Sequence, residues 1–407
     1  MTSVDAASFL VIVCASAAAS MVVTALAPRL TIPVVVVELL LGILIGPDGI
    51  DLAVVDDFTN FFGNLGLGML FFFAGYEIDF QRIRGRPLML ALVTWAISLA
   101  LAYGLGALLA VAGVVLSLLY TGSAMATTAI GTLIPVLKDA GDLRSRFGTY
   151  LLGAGAVGEF GPILLLTLAL TTANPLNEAV ILVAFVVLAV LCGVLAVRYV
   201  GRGWPALERT VESSSQLIVR LVVVLIFALL TLASDLGLDL LLGGFVAGLI
   251  SRMALRGREV ELFESKITAL GYGFLVPFFF ITSGMKFDLS ALAGSATALL
   301  KVPLFVGLFL IVRGVPAVLL YRRVLATRDR LALAVYSATE LPLVVAITTV
   351  AVDAGEMRSS TASALVGAGI ISTLVFPLIG LRLRAGRTAD DDEAPEVVDE
   401  TYEGPAP

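Results

Sequence analysis

The chain's 407 residues are 59% hydrophobic and 14% charged, against about 25% charged in soluble domains; a globule this apolar cannot cover a water-facing surface, and a bilayer is the solvent that suits it. The formal charge of −6 gathers at one end, where eight acids from Asp390 to Glu403 fall in the last 18 residues and leave the rest nearly neutral. There is no histidine, and the two cysteines, Cys14 and Cys192, sit in apolar runs, so no thiolate metal site, disulfide framework or cofactor is indicated, and no basic, aromatic-interleaved stretch points to nucleic acid.

Thirteen apolar segments follow one another at about 6–27, 31–46, 59–78, 87–110, 114–137, 147–172, 178–199, 216–234, 238–254, 267–286, 299–321, 331–353 and 360–383. The first lacks a charged n-region with a cleavage site and is predicted to stay as a helix. Most reach the ~20 residues that cross about 30 Å of hydrocarbon. The second is short, and charge decides whether it counts. Eighteen basic residues, from Arg29 to Arg330, fall in the odd-numbered loops, and Arg382, Arg384 and Arg387 follow the last segment; the even-numbered loops hold Lys286 and Arg358. Removing one span would scramble that alternation. The positive-inside rule therefore predicts 13 transmembrane helices in a plasma or inner membrane, with the N-terminus outside and the C-terminus cytoplasmic. Arg220 and Lys301 lie near helix ends, where long side chains snorkel. Arg313 does not.

The chain repeats itself. Phe71-Phe72-Phe73-Ala74-Gly75-Tyr76-Glu77-Ile78-Asp79-Phe80 closes span 3, and Phe278-Phe279-Phe280-Ile281-Thr282-Ser283-Gly284-Met285-Lys286-Phe287-Asp288 closes span 10. Glu38-Leu39-Leu40-Leu41-Gly42 is similar to Leu240-Leu241-Leu242-Gly243-Gly244, and Val136 to Gly141 to Val350 to Gly355. All three pairs are seven spans apart. An odd offset means that the copies cross in opposite directions, so the expected fold is an all-α polytopic membrane protein of two inverted-topology six-helix repeats, helices 1–6 and 8–13, the arrangement of secondary transporters.

A charge at mid-depth costs several kcal/mol or more and needs a reason. Halving the spans places Glu159 at the middle of span 6, Glu340 close to that of span 12 and Arg313 within a turn of that of span 11. Spans 5 and 12 both read as discontinuous crossing helices. Span 5 carries the small, polar run Thr121-Gly122-Ser123-Ala124-Met125-Ala126-Thr127-Thr128, and span 12 carries Ser337-Ala338-Thr339-Glu340-Leu341-Pro342, whose proline leaves the carbonyl of Ala338 without its helical donor. Pro162 does the same for Gly158, next to Glu159. Paired interruptions are the sequence pointer to a transport site, with backbone and side-chain oxygens for a cation. A carboxyl taken out of water holds its proton unless a cation replaces it, and that competition is the chemistry of an exchanger. The candidate ion- and proton-binding residues are Glu159, with the cation held at its carboxylate, and Thr127, Thr128 and Ser123; Arg313 and Glu340 are charge partners. The plainer reading is a Glu159–Arg313 ion pair that clamps two helices, which is compatible with transport if the pair breaks in the cycle. Glu340 is a second ligand, a partner of Arg313 or a helix lock. Glu38 reads as a funnel or packing residue, and Glu77 and Asp79 as interfacial.

At these residues the chain resembles the monovalent cation:proton antiporter superfamily, on the branch of Kef-type potassium efflux and NapA-type sodium/proton proteins. The resemblance runs over about residues 5–384. It is carried by Pro33 through Glu38-Leu39-Leu40-Leu41-Gly42 to Gly46-Pro47, by Leu70 to Asp79, by Thr127-Thr128-Ala129-Ile130-Gly131 through Pro135 to Lys138, by Phe278 to Met285, and by Thr339-Glu340-Leu341. It implies exchange of Na⁺ or K⁺ for H⁺ by a homodimer whose core moves like an elevator. Helices about 6–78 and 216–286 would then form the dimerisation scaffold, 178–199 a linker, and about 87–172 and 299–383 the ion-transporting core; residues 385–407 form an acidic, disordered cytoplasmic tail. Glu159 stands where members of the family have their ion-binding aspartate, and Arg313 where they have a lysine or arginine. Gly158 replaces the second acid of electrogenic members. One titratable carboxyl there, beside an arginine that stays charged, predicts an electroneutral, one-for-one exchange. The rivals are a Kef-like system served by a separate cytoplasmic regulatory subunit, a sodium-coupled organic anion symporter on a similar fold, and a non-transporting sensor. An enzyme is not indicated, because the sequence has no nucleophile–base set, phosphate loop or metal cluster.

Overall fold

The computed structural model describes residues 5–26, 32–77, 83–169, 187–188, 191, 216–235, 240–254, 258–294 and 296–385. The predicted linker 178–199 and the acidic tail lie almost wholly outside the described residues. Every element described is helical: α1 (Ala6–Leu26), α2 (Val34–Ile45), α3 (Asp57–Glu77), α4 (Arg86–Val111), α5 (Leu118–Met125), α6 (Ile130–Asp139), α7 (Arg146–Ala169), α8 (Leu217–Asp235), α9 (Leu240–Ala254), α10 (Arg258–Leu270), α11 (Val276–Met285), α12 (Leu289–Ala293), α13 (Ala296–Phe309), α14 (Val315–Leu320), α15 (Thr327–Ser337), α16 (Pro342–Asp353) and α17 (Ser359–Arg384). Among the described residues seven helical stretches are long and apolar enough to cross a membrane: Ala6–Leu26, Asp57–Glu77, Arg86–Val111, Phe263–Met285, Ala296–Arg323, Thr327–Asp353 and Ser359–Arg384. The second predicted span is shorter than a crossing. Helix α2 has 12 residues, about 18 Å at the usual rise per residue.

Two stretches widen instead of breaking. α10 runs into α11 through the wide turn Gly271–Leu275, and α13 into α14 through Leu310–Gly314. Each sits just ahead of a proline, Pro277 or Pro316. A proline has no N–H for the carbonyl one turn back and crowds it, and a local wide turn takes up that misfit.

Lipid tails are as apolar as leucine, so helices associate in a bilayer through close backbone packing at small residues. α2 packs on α11 with Gly42 against the Ile281 carbonyl and Gly284 against the Leu39 carbonyl. α3 packs on α9 in the same way, with Gly75 against the Phe245 carbonyl and Gly248 against that of Phe72. A second set of contacts joins α4 to α5 and α7, and α17 to α13, α15 and α16. The two sets meet where α7 touches α9, and there Phe160 stacks on Phe245 with centroids 4.7 Å apart. At the end of α17, the buried Arg384 pairs with Asp142 at 2.5 Å and Asp329 at 2.9 Å and lies over the Phe147 ring. This clasp ties the turn after α6 to the first turn of α15.

Replacing Gly284 by valine should cost about 1–3 kcal/mol of stability, because the new side chain meets backbone that cannot yield. Gly307→Ala, where an added methyl meets nothing within 4 Å, should leave stability unchanged. Thermal unfolding of the two variants in detergent makes the comparison.

Candidate functional site

The backbone leaves the helix between α5 and α6 over Ala126–Ala129, and between α15 and α16 over Ala338–Leu341. Both interruptions fall where small polar residues and Pro342 weaken the helical ladder; Pro342 is the first residue of α16. Each break frees donors and carbonyls that hydrocarbon cannot satisfy. They find one another. Ala129 N–H donates to Thr339 O at 2.8 Å, and the Thr128 hydroxyl donates to Ser337 O at 2.6 Å. Thr128 N–H donates to Gly158 O at 3.2 Å, the carbonyl that Pro162 cannot serve. Trp95 Nε1 donates to Ala126 O at 3.1 Å, and Glu340 N–H to Ser372 Oγ at 3.0 Å. The breaks are thus one hydrogen-bonded unit with α4, α7 and α17 as its props.

Arg313 stands in the wide turn Leu310–Gly314 and is 2% exposed. Its Nη2 donates to Thr128 Oγ1 at 2.6 Å and to Ala154 O at 3.2 Å, and its Nε donates to Thr128 Oγ1 at 3.0 Å. The Glu159–Arg313 ion pair of the plainer reading is not formed: no carboxylate oxygen lies within 4 Å of Arg313 among the described residues. The guanidinium is held by a hydroxyl and backbone carbonyls. Gly158 is the residue that admits it, because a methyl there would collide with Arg313 Nη2 and Thr128.

The carboxyls lie around this hub. Glu340 is fully buried with neither oxygen hydrogen bonded; Thr127 lies beside it, and its charge acts through space on Arg313. The Thr127 hydroxyl donates to Ala124 O at 3.0 Å. Glu159 is 6% exposed and its Oε2 has no partner. The Ser123 hydroxyl is 3.2 Å from that of Tyr103 on α4. Glu38 is buried in α2, with Oε2 unpartnered.

Of the predicted set, Thr128 and Arg313 are in direct contact and Glu340 and Thr127 adjoin them, whereas no ion pair joins Glu159 to them among the described residues. The through-space neighbours of Glu159 are Glu77 and Tyr272. Glu77, read as interfacial from the end of its span, has an Oε2 that is buried in the protein without a hydrogen-bond partner. Glu77 follows Phe73 by one turn, and that spacing puts both on one helix face; with Phe73 buried, the spacing was the available signal. Tyr272, between two glycines ahead of Pro277, gave none that separated it from ordinary packing.

The pattern that defines the transmembrane sodium/hydrogen exchangers matches residues 16–381. The chain belongs to that family. The Na⁺/H⁺ antiporter of Enterococcus hirae is 25% identical to it over 292 residues, 69% of this chain and 74% of that protein. GerN of Bacillus cereus, named a Na⁺/H⁺-K⁺ antiporter, is 25% identical over 269 residues, 64% of this chain and 67% of GerN. YjbQ of Bacillus subtilis is 25% identical over 374 residues, which are 86% of this chain but 59% of YjbQ, so the chain spans less than two thirds of that relative's length. In fold, it is similar to the sodium proton antiporter MjNhaP1 of Methanocaldococcus jannaschii, with a TM-score of 0.63 at 18% identity over 93% of this chain and 95% of that one. The chain is thus a multi-pass membrane protein of a transporter family, and its relatives are not enzymes.

Thr128→Val should destabilise the exchanger by about 1–3 kcal/mol, because it strands buried donors of Arg313 and the Ser337 carbonyl. Thr128→Ser keeps the hydroxyl and should recover most of the loss. Chemical denaturation in detergent measures both.

Proposed function

We propose that the exchanger trades one monovalent cation, Na⁺ or K⁺, for one H⁺, with Glu159 binding either but not both. The observation that carries the reading is a carboxyl buried at mid-helix, with an oxygen that no protein group satisfies, next to the glycine whose carbonyl is tied to one helix break. A bare carboxylate in a low-dielectric site is expensive, while a protonated or cation-loaded one is close to neutral. Movement across the membrane is then cheap only when the site is occupied, and that is what couples the two fluxes. Thr127, Thr128 and Ser123 are the further oxygens that the reading assigns to the cation, from the interrupted segment. Arg313 keeps its charge through the cycle and fixes the breaks through Thr128 and Ala154, with Glu340 as its through-space counter-charge. The small residue at 158 leaves a single acid in that turn, so the exchange is electroneutral.

The same reading assigns the motion. Helices 6–78 and 216–286 serve as a scaffold, linked through 178–199 to a core of 87–172 and 299–383 that carries the site across by alternating access. Thirteen spans arranged as two inverted repeats provide two near-equivalent arrangements, and a homodimer in the plasma membrane holds the scaffold still. The likeness in fold to MjNhaP1 and the names of the E. hirae and B. cereus relatives support cation/proton exchange as the activity.

Purified protein in liposomes should carry proton flux when Na⁺ or K⁺ is added, and Glu159→Gln should reduce it to the protein-free background; flux that survives the mutation places the site elsewhere. A voltage-sensitive dye should report no membrane potential during that flux. Because proton and cation compete for one group, the apparent KM for the cation should rise as pH falls, with kcat little changed.

A further inference from the structure

Glu77 ends α3, and its Oε2 is buried without a hydrogen-bond partner. That oxygen lies 3.6 Å from the point where a methyl on Gly131 would sit, and the Tyr272 hydroxyl lies 4.0 Å from the same point. Gly131 belongs to the first turn of α6, the half-helix that starts at the break. Glu159 acts through space on both Glu77 and Tyr272, and it brings a second unpartnered oxygen on a side chain that is 6% exposed. An orphaned carboxyl oxygen, a phenol hydroxyl and the positive end of a half-helix therefore converge on one small space, with the Glu159 carboxyl as their electrostatic neighbour. Tyr272 is held there firmly. It occupies the wide turn Gly271–Leu275, and its ring stacks on Phe73 with centroids 4.5 Å apart and planes at 16°.

The space also leads outward. The further charged neighbour of Glu77 is Glu264, which accepts from Arg252 Nη1 at 3.3 Å and from the Tyr76 hydroxyl at 3.1 Å. The side chains of that outer pair are 36% and 43% exposed for Arg252 and Glu264. Three carboxyls, those of Glu264, Glu77 and Glu159, thus step from a solvent-exposed pair to the buried site. Acids inside a membrane protein mark ion pathways. This line has oxygens to replace a cation's water at each stage.

We propose that Glu77, with the Tyr272 hydroxyl, is an access site that takes the transported cation from the solution on the Arg252–Glu264 side and hands it to Glu159. The inference rests on the reading of Glu159 as the exchange site. Glu77 and Tyr272 stand on α3 and the α10–α11 turn, whereas Glu159 stands on α7. If the core carries Glu159 past the scaffold, Glu77 meets it in one orientation only. Glu77 then sets cation affinity from one side and does not enter the proton count.

The test is cation-driven proton flux in proteoliposomes of each orientation. Sidedness is read by impermeant thiol labelling of Met253→Cys in a chain otherwise free of cysteine. Glu77→Gln should raise the cation KM about fivefold or more on the Arg252–Glu264 side and leave the other side and the cation-to-proton ratio unchanged. Tyr272→Phe should give a smaller rise on the same side. Gly131→Ala, whose methyl would sit at ordinary contact distance and against no backbone, should give the same one-sided rise, and it covers the case in which Glu77→Gln does not fold. Equal KM changes on both sides, or no change in any of the three variants, would overturn the access role while leaving Glu159 in place. Activity in Glu159→Gln would instead remove the reading beneath it.

Discussion

Hydrocarbon offers no hydrogen bonds, so every helix interruption in a membrane protein must bring its own partners. The rest of this structure follows from how two interruptions meet that demand together. Each break lends its freed groups to the other, through Ala129 and Thr339 and through Thr128 and Ser337. α7 contributes the one carbonyl that Pro162 had already released, so Gly158 serves Thr128 without weakening its own helix. The crossing is irregular backbone, yet among the described residues its main-chain pairing is nearly complete. It is the side chains around it, Glu159 and Glu340 above all, that are left wanting partners.

That contrast separates structure from chemistry at the site. The guanidinium of Arg313 is absorbed into the backbone network, in a wide helical turn that turns it toward Thr128 and Ala154. A positive charge so placed stiffens the crossing and lowers the potential cost of nearby carboxylates without neutralising any of them by contact. The acids remain available to exchangeable ligands. Tyr272 sits in the other wide turn, so both wide turns that precede a proline project a polar side chain toward the breaks.

Much of this was legible beforehand. The two interruptions were readable because Pro342 and the Ser/Thr/Gly-rich run in span 5 undo helices for local reasons that act wherever the chain is folded. The buried Arg313, Glu159 and Glu340 were readable because mid-span charge has few explanations. Pairing was not legible. Opposite charges at similar depth leave a Glu159–Arg313 bridge open, but depth says nothing of azimuth, and Arg313 has uncharged acceptors instead. Glu77 reads as interfacial from its position at the end of a span, and the face it shares with Phe73 adds that its carboxyl turns into the protein. The second span was judged by charge alternation, which carries no information on the length of α2. Three-dimensional convergence is a property of packing at glycines such as Gly42 and Gly248, and the periodicity of one helix does not encode its neighbour's rotation.

The missing side chain at position 158 has a consequence for how such proteins diversify. The guanidinium fills the volume that any substituent there would need. An acid next to Glu159 would therefore require the end of the Arg313 side chain and Thr128 to shift, which loosens the grip of the one on the other. The charge inventory at position 158 and the rigidity of the paired breaks are in this way bound to one another, so that one cannot be altered without disturbing the other.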